Sequence, residues 1–328
     1  MKDSDLSERD KTILRYVHQY RLLKSQDHIQ PLLGGSARVL RNCKALADAG
    51  YLNRVQHKNP YKQIVYAIGN RGITFLARDY DLRRPYVNKK ASNSRLQGIN
   101  FEHTYLIAQT MIAIEIAARG HPEVRFITPE EIYNRSTTPE AARRWFTKER
   151  FFAREKRFRV TARIKPPGTE EFEATIYADW MFGLEYGKPE ERRQRFFVLE
   201  ADRGGMPVET NNFKRSSIIK KLYVYRAAGL RRRVVVGNTE RRQSTIFEDL
   251  FGIPNIQALF IVDPVEGHDG EKRIPNCVNL SKKLTGGPGG RQFLFAPATW
   301  PAAEDIFTAP LIDGTGTNTT IVPLESKA

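Results

Sequence analysis

The sequence predicts a two-domain α+β protein with a mixed sheet in the second domain. Its 328 residues, 40% hydrophobic and 27% charged, are enough to build two separate cores. Residues 7–80 show helical periodicity followed by a hairpin pattern. Between residues 156 and 202 three β-rich runs follow one another, and helices then alternate with single strands. That order favours a mixed sheet with helices on its faces.

The charge balance points to a polyanionic partner. The formal net charge is +16 and the isoelectric point is near 9.8, which favours nucleic acid or an anionic membrane. We find no apolar run of about 18 residues and no apolar signal core, so we expect a cytoplasmic protein with no membrane partner. Only Cys43 and Cys277 are present, too few for a disulfide framework or a four-thiolate zinc site.

Residues 1–80 are predicted to form the first domain. Ser7 is a suitable helix N-cap, and Gly50 is a suitable residue just beyond a helix C-terminus. The predicted elements are a helix from Ser7, a helix over Ser25–Leu33, a helix from Ser36 to Gly50, a hairpin of Tyr51–Val55 and Gln63–Ile68, and a helix from Asn70 to about Tyr80.

The order of three helices and a basic hairpin resembles a winged helix-turn-helix domain. The segment from Leu46 to Leu52 is similar to the end of a recognition helix that leads into the wing. The resemblance implies that the third helix enters the major groove of double-stranded DNA and that the wing contacts the backbone. The implied contacts are Arg38, Arg41 and Lys44 on the helix, and Lys58 and Lys62 at the hairpin tip. The alternative is a solvated helix face on a dimerisation module, so a homodimer remains open.

Residues 81–98 are a polar, basic linker, and residues 99–265 are predicted to form the second domain. The predicted elements are a helix over Ile99–Arg119, strands over Lys156–Lys165, Phe172–Leu184 and Arg195–Asp202, a helix from Asn211 to Ala228, a strand over Arg232–Val236, a helix over Glu240–Phe251, and a strand over Ala258–Val262. Residues 266–328 are rich in Gly and Pro, and we expect a loosely structured C-terminal extension there.

Three acids are predicted to meet at the ends of neighbouring strands. Four apolar residues precede Glu200 and Asp202, whose spacing puts both side chains on one face of a strand. Asp179 follows the preceding β-rich run. Such a cluster is repulsive unless a divalent cation or a shared proton relieves it. The alternative is that Asp179 and Glu200 are strand-end caps and that Asp202 pairs with Arg203 at the surface.

The order helix, three strands, helix, strand resembles the restriction-endonuclease-like, or PD-(D/E)xK, nucleases. The resemblance implies that Asp179 and Glu200 bind Mg²⁺ or Mn²⁺. These nucleases carry a Lys two residues after the Glu, where this chain has Asp202. Two readings stay open: Lys220 or Lys221 reaches the site from the following helix, or Asp202 is a third metal ligand.

Four segments resemble the replication-relaxation family, in which a winged helix also precedes the core. They are Phe101–Ile107, Ile176–Met181, Phe196–Gly205 and Ile218–Tyr225. On the first, Glu102 and His103 could add a ligand or a base. The chain departs from the family at Ala178, where Pro is frequent, and at Gly205, where Thr is frequent. The family includes plasmid replication and mobilisation proteins, among them relaxases that nick DNA with metal.

Residues 141–165 combine ten Lys and Arg with five aromatic residues. Cations suit phosphates and rings suit exposed bases, so Arg143, Arg144 and Arg150 are candidate contacts, with single-stranded DNA as a second partner that remains open. The alternative is an amphipathic helix with buried rings.

The sequence as a whole predicts a site-directed DNA-binding protein with metal-dependent nicking activity in a plasmid or another mobile element. A catalytically inactive regulator or replication-initiation factor on the same fold is the main alternative. A scaffold for anionic surfaces, with no sequence preference, is a third.

Overall fold

The computed structural model describes residues 2–55, 64–79, 99–145, 158–230, 233–236, 239–242, 244–263 and 270–323. For residues 99, 100, 144, 145, 233–236, 239–242 and 270 it describes the backbone alone. The protein is mixed α/β, and its chain divides into two compact units, residues 1–116 and 117–328.

The first unit contains short helices and a three-stranded antiparallel sheet of order β1-β3-β2. Its elements are α1 (Glu8–Tyr20), β1 (Leu23–Lys24), a π-helical turn (Ser25–Ile29), α2 (Gln30–Leu32), α3 (Arg38–Asp48), β2 (Leu52–Val55), β3 (Val65–Ile68) and α4 (Asn70–Asp79). A longer helix, α5 (Ile99–Gly120), runs across the division between the units.

The helices of the first unit follow from their caps and apolar spacing. Ser7 caps α1 by accepting from the backbone N–H of Asp10, and the Asp10 carboxylate accepts from the N–H of Ser7 in return. On α3, Val39, Cys43 and Leu46 are buried. The helices and hairpin strands lie close to their predicted places, with β1 as an addition. The predicted wing tip, with Lys58 and Lys62, lies outside the described residues.

The second unit has a seven-stranded sheet as its main element. The helices are α6 (Pro129–Tyr133), α7 (Glu140–Trp145), α8 (Ile218–Gly229), α9 (Ile246–Phe251) and α10 (Arg273–Thr285). The strands are β4 (Val124–Ile127), β5 (Arg159–Ile164), β6 (Phe172–Tyr177), β7 (Trp180–Tyr186), β8 (Arg193–Asp202), β9 (Arg233–Val236), β10 (Thr239–Arg242), β11 (Ile256–Val262), β12 (Phe293–Pro297), β13 (Leu311–Asp313) and β14 (Asn318–Thr319).

The strand order of the main sheet is β14-β13-β12-β11-β8-β7-β4. Strands β4, β7 and β8 form an antiparallel meander. Strand β8 is parallel to β11, and β11 is parallel to β12. The connection from β8 to β11 passes through α8, as a crossover between parallel strands requires. The carboxyl ends of β8, β11 and β12 therefore lie along one edge of the sheet.

The single strand predicted over Phe172–Leu184 is two strands, β6 and β7. The N–H of Ala178 still donates to the carbonyl of Phe158, whereas the N–H of Asp179 donates to the carbonyl of Leu199 on β8. The chain thus leaves one sheet and enters another between these two residues. Among the described strands, β5 and β6 pair with each other alone and form a separate hairpin. The first strand of the meander is β4, which the sequence analysis did not identify.

Two helix boundaries differ from the prediction. The helix expected from Asn211 begins at Ile218, because Ser217 supplies the cap by accepting from the N–H of Lys220. The helix expected over Glu240–Phe251 is strand β10 followed by α9, which Thr245 caps.

The expectation of a loose extension after residue 265 is wrong. Helix α10 and strands β12, β13 and β14 belong to this segment, and the three strands complete one side of the main sheet. Its glycines allow close packing rather than disorder. The N–H of Gly314 donates to the carbonyl of Gly290 at 3.1 Å, and a Cβ at either position would lie under 3 Å from the other's backbone.

The main core lies between one face of the sheet and the elements that cover it. Alternate residues of β8, Phe196 and Val198, share this core with Ile218 and Leu222 of α8. Inward residues of the β5–β6 hairpin and of α10 join it. In the described part of the chain, no helix is both long enough and apolar enough to cross a membrane.

Candidate functional site

Glu200 is a carboxylate enclosed in the core of the second unit. It is 0% exposed and lies on the face of β8 that carries Phe196 and Val198. The register of the parallel pair places it opposite Phe260 of β11. A carboxylate in such an apolar setting requires partners for its oxygens, because an unpaired buried charge is strongly unfavourable.

Two side chains of α8 supply those partners. The ammonium of Lys221 donates to Oε2 of Glu200 at 2.5 Å, and the hydroxyl of Tyr225 donates to Oε1. Residues four apart share a helix face, so one helix places both donors on one carboxylate. The ring of Tyr225 is held by Phe247 and Phe260, whose ring centroids are 6.4 and 6.5 Å away.

Asp179 lies beside this group at the start of β7. In the antiparallel register Trp180 faces Leu199, which places the preceding Asp179 next to the Glu200 segment. Its Oδ2 accepts from the N–H of Ala201 at 2.9 Å, and its own N–H donates to Leu199 at 3.0 Å. Asp179 is half-buried, in contrast to Glu200. It is the acid of the pair that solvent can reach.

The electrostatics of the group keep Lys221 positively charged and let Glu200 lose its proton near neutral pH. The pKa of Glu200 is raised to about 7; burial is the largest cause and the charge of Asp179 adds to it, whereas Lys221 and the hydrogen bond from Tyr225 oppose the shift. For Lys221, burial acts to lower the pKa, but the charges of Glu200 and Asp179 outweigh it and the pKa is raised. Burial and Glu200 raise the pKa of the Tyr225 phenol well above its usual value. Lys221 therefore stays charged while Glu200 titrates.

Asp202 has a different partner. The guanidinium of Arg273, on α10, donates from Nε to Oδ2 at 2.6 Å and from Nη2 to Oδ1 at 2.9 Å. Nη2 also donates to the carbonyl of Met206 at 2.6 Å. Asp202 and Arg273 are 1% and 2% exposed. This two-point ion pair connects the end of β8 to α10 and to the loop after β8.

Arg273 was missed by the sequence analysis. Its helix did carry a signal, because Arg273, Cys277, Leu280 and Ser281 recur at helical spacing. The Gly and Pro residues nearby masked that pattern. The partner of Arg273 lies 71 positions earlier in the chain, and spacing alone does not reveal such a pair.

A hard divalent cation at this site would have few protein ligands. Asp179 and Glu200 offer carboxylate oxygens, and Mg²⁺ is commonly held by one or two carboxylates together with phosphate and water. Within the described ranges, no group of three or more His, Cys, Asp or Glu side chains is placed to hold a metal ion. Asp202 directs both oxygens to Arg273, which does not favour it as a third ligand. Glu200 would exchange a contact with Lys221 or Tyr225 for the ion.

The structure thus brings Asp179, Glu200, Lys221 and Tyr225 together. Lys220 is half-buried and precedes Lys221, so it points about 100° away around the helix. Glu102, like His103, belongs to the first unit.

The remaining candidates are predicted DNA contacts. Arg38, Arg41 and Lys44 are all exposed on α3, and Arg143 is half-buried on α7. Arg150 lies outside the described residues, as does the side chain of Arg144.

A comparison with protein families matches most of the chain to one family model. The family model described as replication-relaxation matches residues 14–232, about two thirds of the 328 residues. The match includes β8, Asp179, Glu200 and α8, and it stops before β11. Searches of curated proteins and of solved structures found no match.

Proposed function

The chain belongs to the replication-relaxation family, and from this premise we propose that it binds a site on DNA and nicks one strand there. The setting would be the replication or mobilisation of a plasmid or another mobile element. The net charge of +16 suits a DNA partner.

The strand order of the second unit supports a nuclease core. The meander of β4, β7 and β8, followed by the crossover helix α8 and the parallel strand β11, is similar in order to the core of the restriction-endonuclease-like enzymes. In that order Asp179 stands at the start of the second strand and Glu200 on the third. These are the positions at which such enzymes carry their acidic ligands.

The proposal depends on one observation: the ammonium of Lys221 on α8 donates a hydrogen bond to the carboxylate of Glu200. The lysine expected two residues after Glu200 is replaced by Asp202, and Lys221 brings an ammonium to the same carboxylate from the next helix. Its raised pKa keeps the ammonium charged at neutral pH. A fixed cation beside the reacting phosphate stabilises the negative charge that develops there.

The other residues of the site position these groups. Asp179 and Glu200 would hold Mg²⁺ or Mn²⁺, which when bound acts as a Lewis acid on the phosphate. Tyr225 orients the Glu200 carboxylate. Because the pKa of Glu200 is raised to about 7, its proton has to leave before the carboxylate can act as a ligand. The nicking rate should therefore rise with pH up to and through neutrality.

The first unit would find the DNA site as a winged helix. The order of its helices and strands supports this proposal, in which α3 would be the recognition helix. Arg38, Arg41 and Lys44 are exposed on α3, on the side away from its buried residues. An exposed basic helix face suits the edges and phosphates of duplex DNA.

The test is nicking of supercoiled plasmid that carries the DNA upstream of the protein's own gene, with Mg²⁺, Mn²⁺ or EDTA. Lys221→Met should lower the rate by about 100-fold or more, a typical loss for a single group that stabilises developing charge. Lys220→Met is the matched control, because it removes the neighbouring charge without touching Glu200, and it should nick at the rate of the unmodified protein.

Two results would contradict this proposal. One is a protein that binds the plasmid but does not nick it with either metal. The other is a Lys220→Met variant that loses activity while Lys221→Met keeps it. Urea unfolding of each variant checks that the protein used in the nicking assay is folded.

The second candidate function is a DNA-binding regulator or replication-initiation factor without catalysis. Two observations favour it. Asp202 stands at the position where a lysine is expected, and both carboxylate oxygens of Glu200 already accept hydrogen bonds. In that case Asp179→Ala and Glu200→Gln would leave replication of the element unchanged, while Arg41→Ala would weaken DNA binding.

A further inference from the structure

We propose that the outer face of the β5–β6 hairpin holds an unpaired DNA strand beside the Glu200 site, with a base stacked on Tyr177 and a phosphate on Arg159. This inference deepens the proposed function by naming single-stranded DNA as the form that the site receives. It rests on contacts and exposure in the hairpin rather than on the acids themselves.

The two faces of the hairpin differ sharply in character. Val160, Ala162 and Ile164 of β5, with Ala174 and Ile176 of β6, point into the core of the second unit. The alternate residues therefore face away from that core. They are Arg159, Thr161 and Arg163 on β5, and Glu173, Thr175 and Tyr177 on β6.

Tyr177 presents an aromatic ring to solvent. Its exposure is 44%, and it is the sole exposed large aromatic residue among the described side chains. Among the described residues, no ring is in contact with the ring of Tyr177. Base stacking on such a ring is tolerant of sequence, since every base has a π-face. In a duplex the base faces are already covered by their neighbours, so an exposed ring selects an unpaired strand.

Arg159 lies directly across the hairpin from Tyr177. Its Nε donates to Thr161 at 3.3 Å, and no described carboxylate forms an ion pair with it. The acids of the hairpin, Glu170, Glu171 and Glu173, lie toward the turn, where Glu171 is 4.0 Å from Arg163. The acids of the hairpin itself are therefore at the turn, whereas Arg159 at the Tyr177 end keeps a guanidinium that no described carboxylate pairs with and that can contact a phosphate.

The Tyr177 end of the hairpin adjoins the candidate nuclease site through the chain itself. Only Ala178 separates Tyr177 from Asp179, so their Cα atoms are within about 7 Å. The N–H of Ala178 donates a hydrogen bond to the carbonyl of Phe158, the neighbour of Arg159. The N–H of Asp179 donates one to the carbonyl of Leu199. Backbone hydrogen bonds thus fix both ends of this short connection, and a strand lying on Tyr177 would pass next to Asp179.

The experiment measures binding without cleavage. A short labelled oligonucleotide, as a single strand and as a duplex, is titrated with protein in EDTA and followed by fluorescence anisotropy. Tyr177→Ala should bind the single strand about 5- to 150-fold more weakly, the range for loss of one stacked base. Tyr177→Phe keeps the ring and should bind as the unmodified protein does. Neither change should alter duplex binding.

Arginine variants test the phosphate contact. Arg159→Ala should weaken single-strand binding and reduce the salt dependence by about 0.7, the value for one phosphate contact on a single strand. Arg163→Ala is the matched control at the turn end and should leave both quantities unchanged. The proposal is overturned if Tyr177→Ala binds the single strand normally, or if it loses as much affinity for the duplex.

The outcome is separable from that of the nuclease proposal. If the unmodified protein does not nick but Tyr177→Ala loses single-strand affinity, the strand site stands and the nuclease does not. If the protein nicks and Tyr177→Ala binds normally, the nuclease stands and this inference fails.

Discussion

Replacing Lys221 by Met should change how the stability of the second unit depends on pH. The substitution keeps an unbranched side chain of similar length but removes the ammonium that lies 2.5 Å from Glu200. Lys221 lowers the pKa of Glu200 against the effect of burial. Without it, the pKa of Glu200 rises further, and the buried carboxyl stays protonated over a wider pH range.

The size of the effect follows from proton linkage. The folded state binds the Glu200 proton more tightly than the unfolded chain does, so the free energy of unfolding falls as pH rises toward the folded pKa and then levels off. With a pKa of about 7, the unmodified protein should lose about 1 kcal/mol from this group between about pH 6 and pH 8. In Lys221→Met the fall continues through the whole window, so the loss should be about twice as large.

Urea unfolding followed by tryptophan fluorescence measures this difference. All three tryptophans fall within residues 117–328, and Trp180 and Trp300 are buried there, so the signal reports the second unit. Lys220→Met serves as the control and should follow the unmodified protein at both pH values. The reasoning is refuted if Lys221→Met and the unmodified protein lose the same free energy between the two pH values, or if the variant gains stability at the higher one.

Three further outcomes are expected. Tyr225→Phe leaves one oxygen of Glu200 without its donor and should lower the free energy of unfolding by about 1–3 kcal/mol; an unchanged urea midpoint would contradict the hydrogen bond. Arg273→Met leaves Asp202 buried without a counter-ion and should lower stability by about 3–5 kcal/mol, and Arg273→Lys should recover only part of it because the two-point geometry is lost; a fully stable Arg273→Met in thermal unfolding would argue against the pair. Arg41→Ala should weaken duplex binding in a salt titration and reduce its salt slope by about 1, and an unchanged slope would remove α3 from the DNA interface.

Local patterns were enough to predict part of the site. The spacing of Glu200 and Asp202 predicted that both side chains lie on one face of a strand. The core residues of β8 lie on that face, in agreement with the prediction. Lys221 and Tyr225 are four residues apart on α8, so the helix period puts both on one face, and both contact Glu200. These inferences hold because strand and helix periods are fixed by the backbone.

Long-range pairing accounts for what could not be predicted. Nothing near Asp179 indicates that the chain changes sheets there, because the reason is a hydrogen bond to Leu199, twenty positions away. Strand β4 has only four residues, Val124–Ile127, too few for a clear period. Strand β12 looked unlike core because Gly and Pro precede it, although Phe293, Leu294 and Phe295 are themselves apolar and buried.

The placement of β11 has a practical consequence for work on isolated fragments. The family match ends at residue 232, whereas β11, the parallel neighbour of the strand that carries Glu200, begins at Ile256. In a protein trimmed to the matched region, β8 would become an exposed, apolar edge strand with unpaired backbone groups. Such edge strands promote aggregation. It would also lose Arg273 and leave Asp202 unpaired. Insolubility of that fragment would then reflect an incomplete sheet, and would say nothing against the activity of the whole chain.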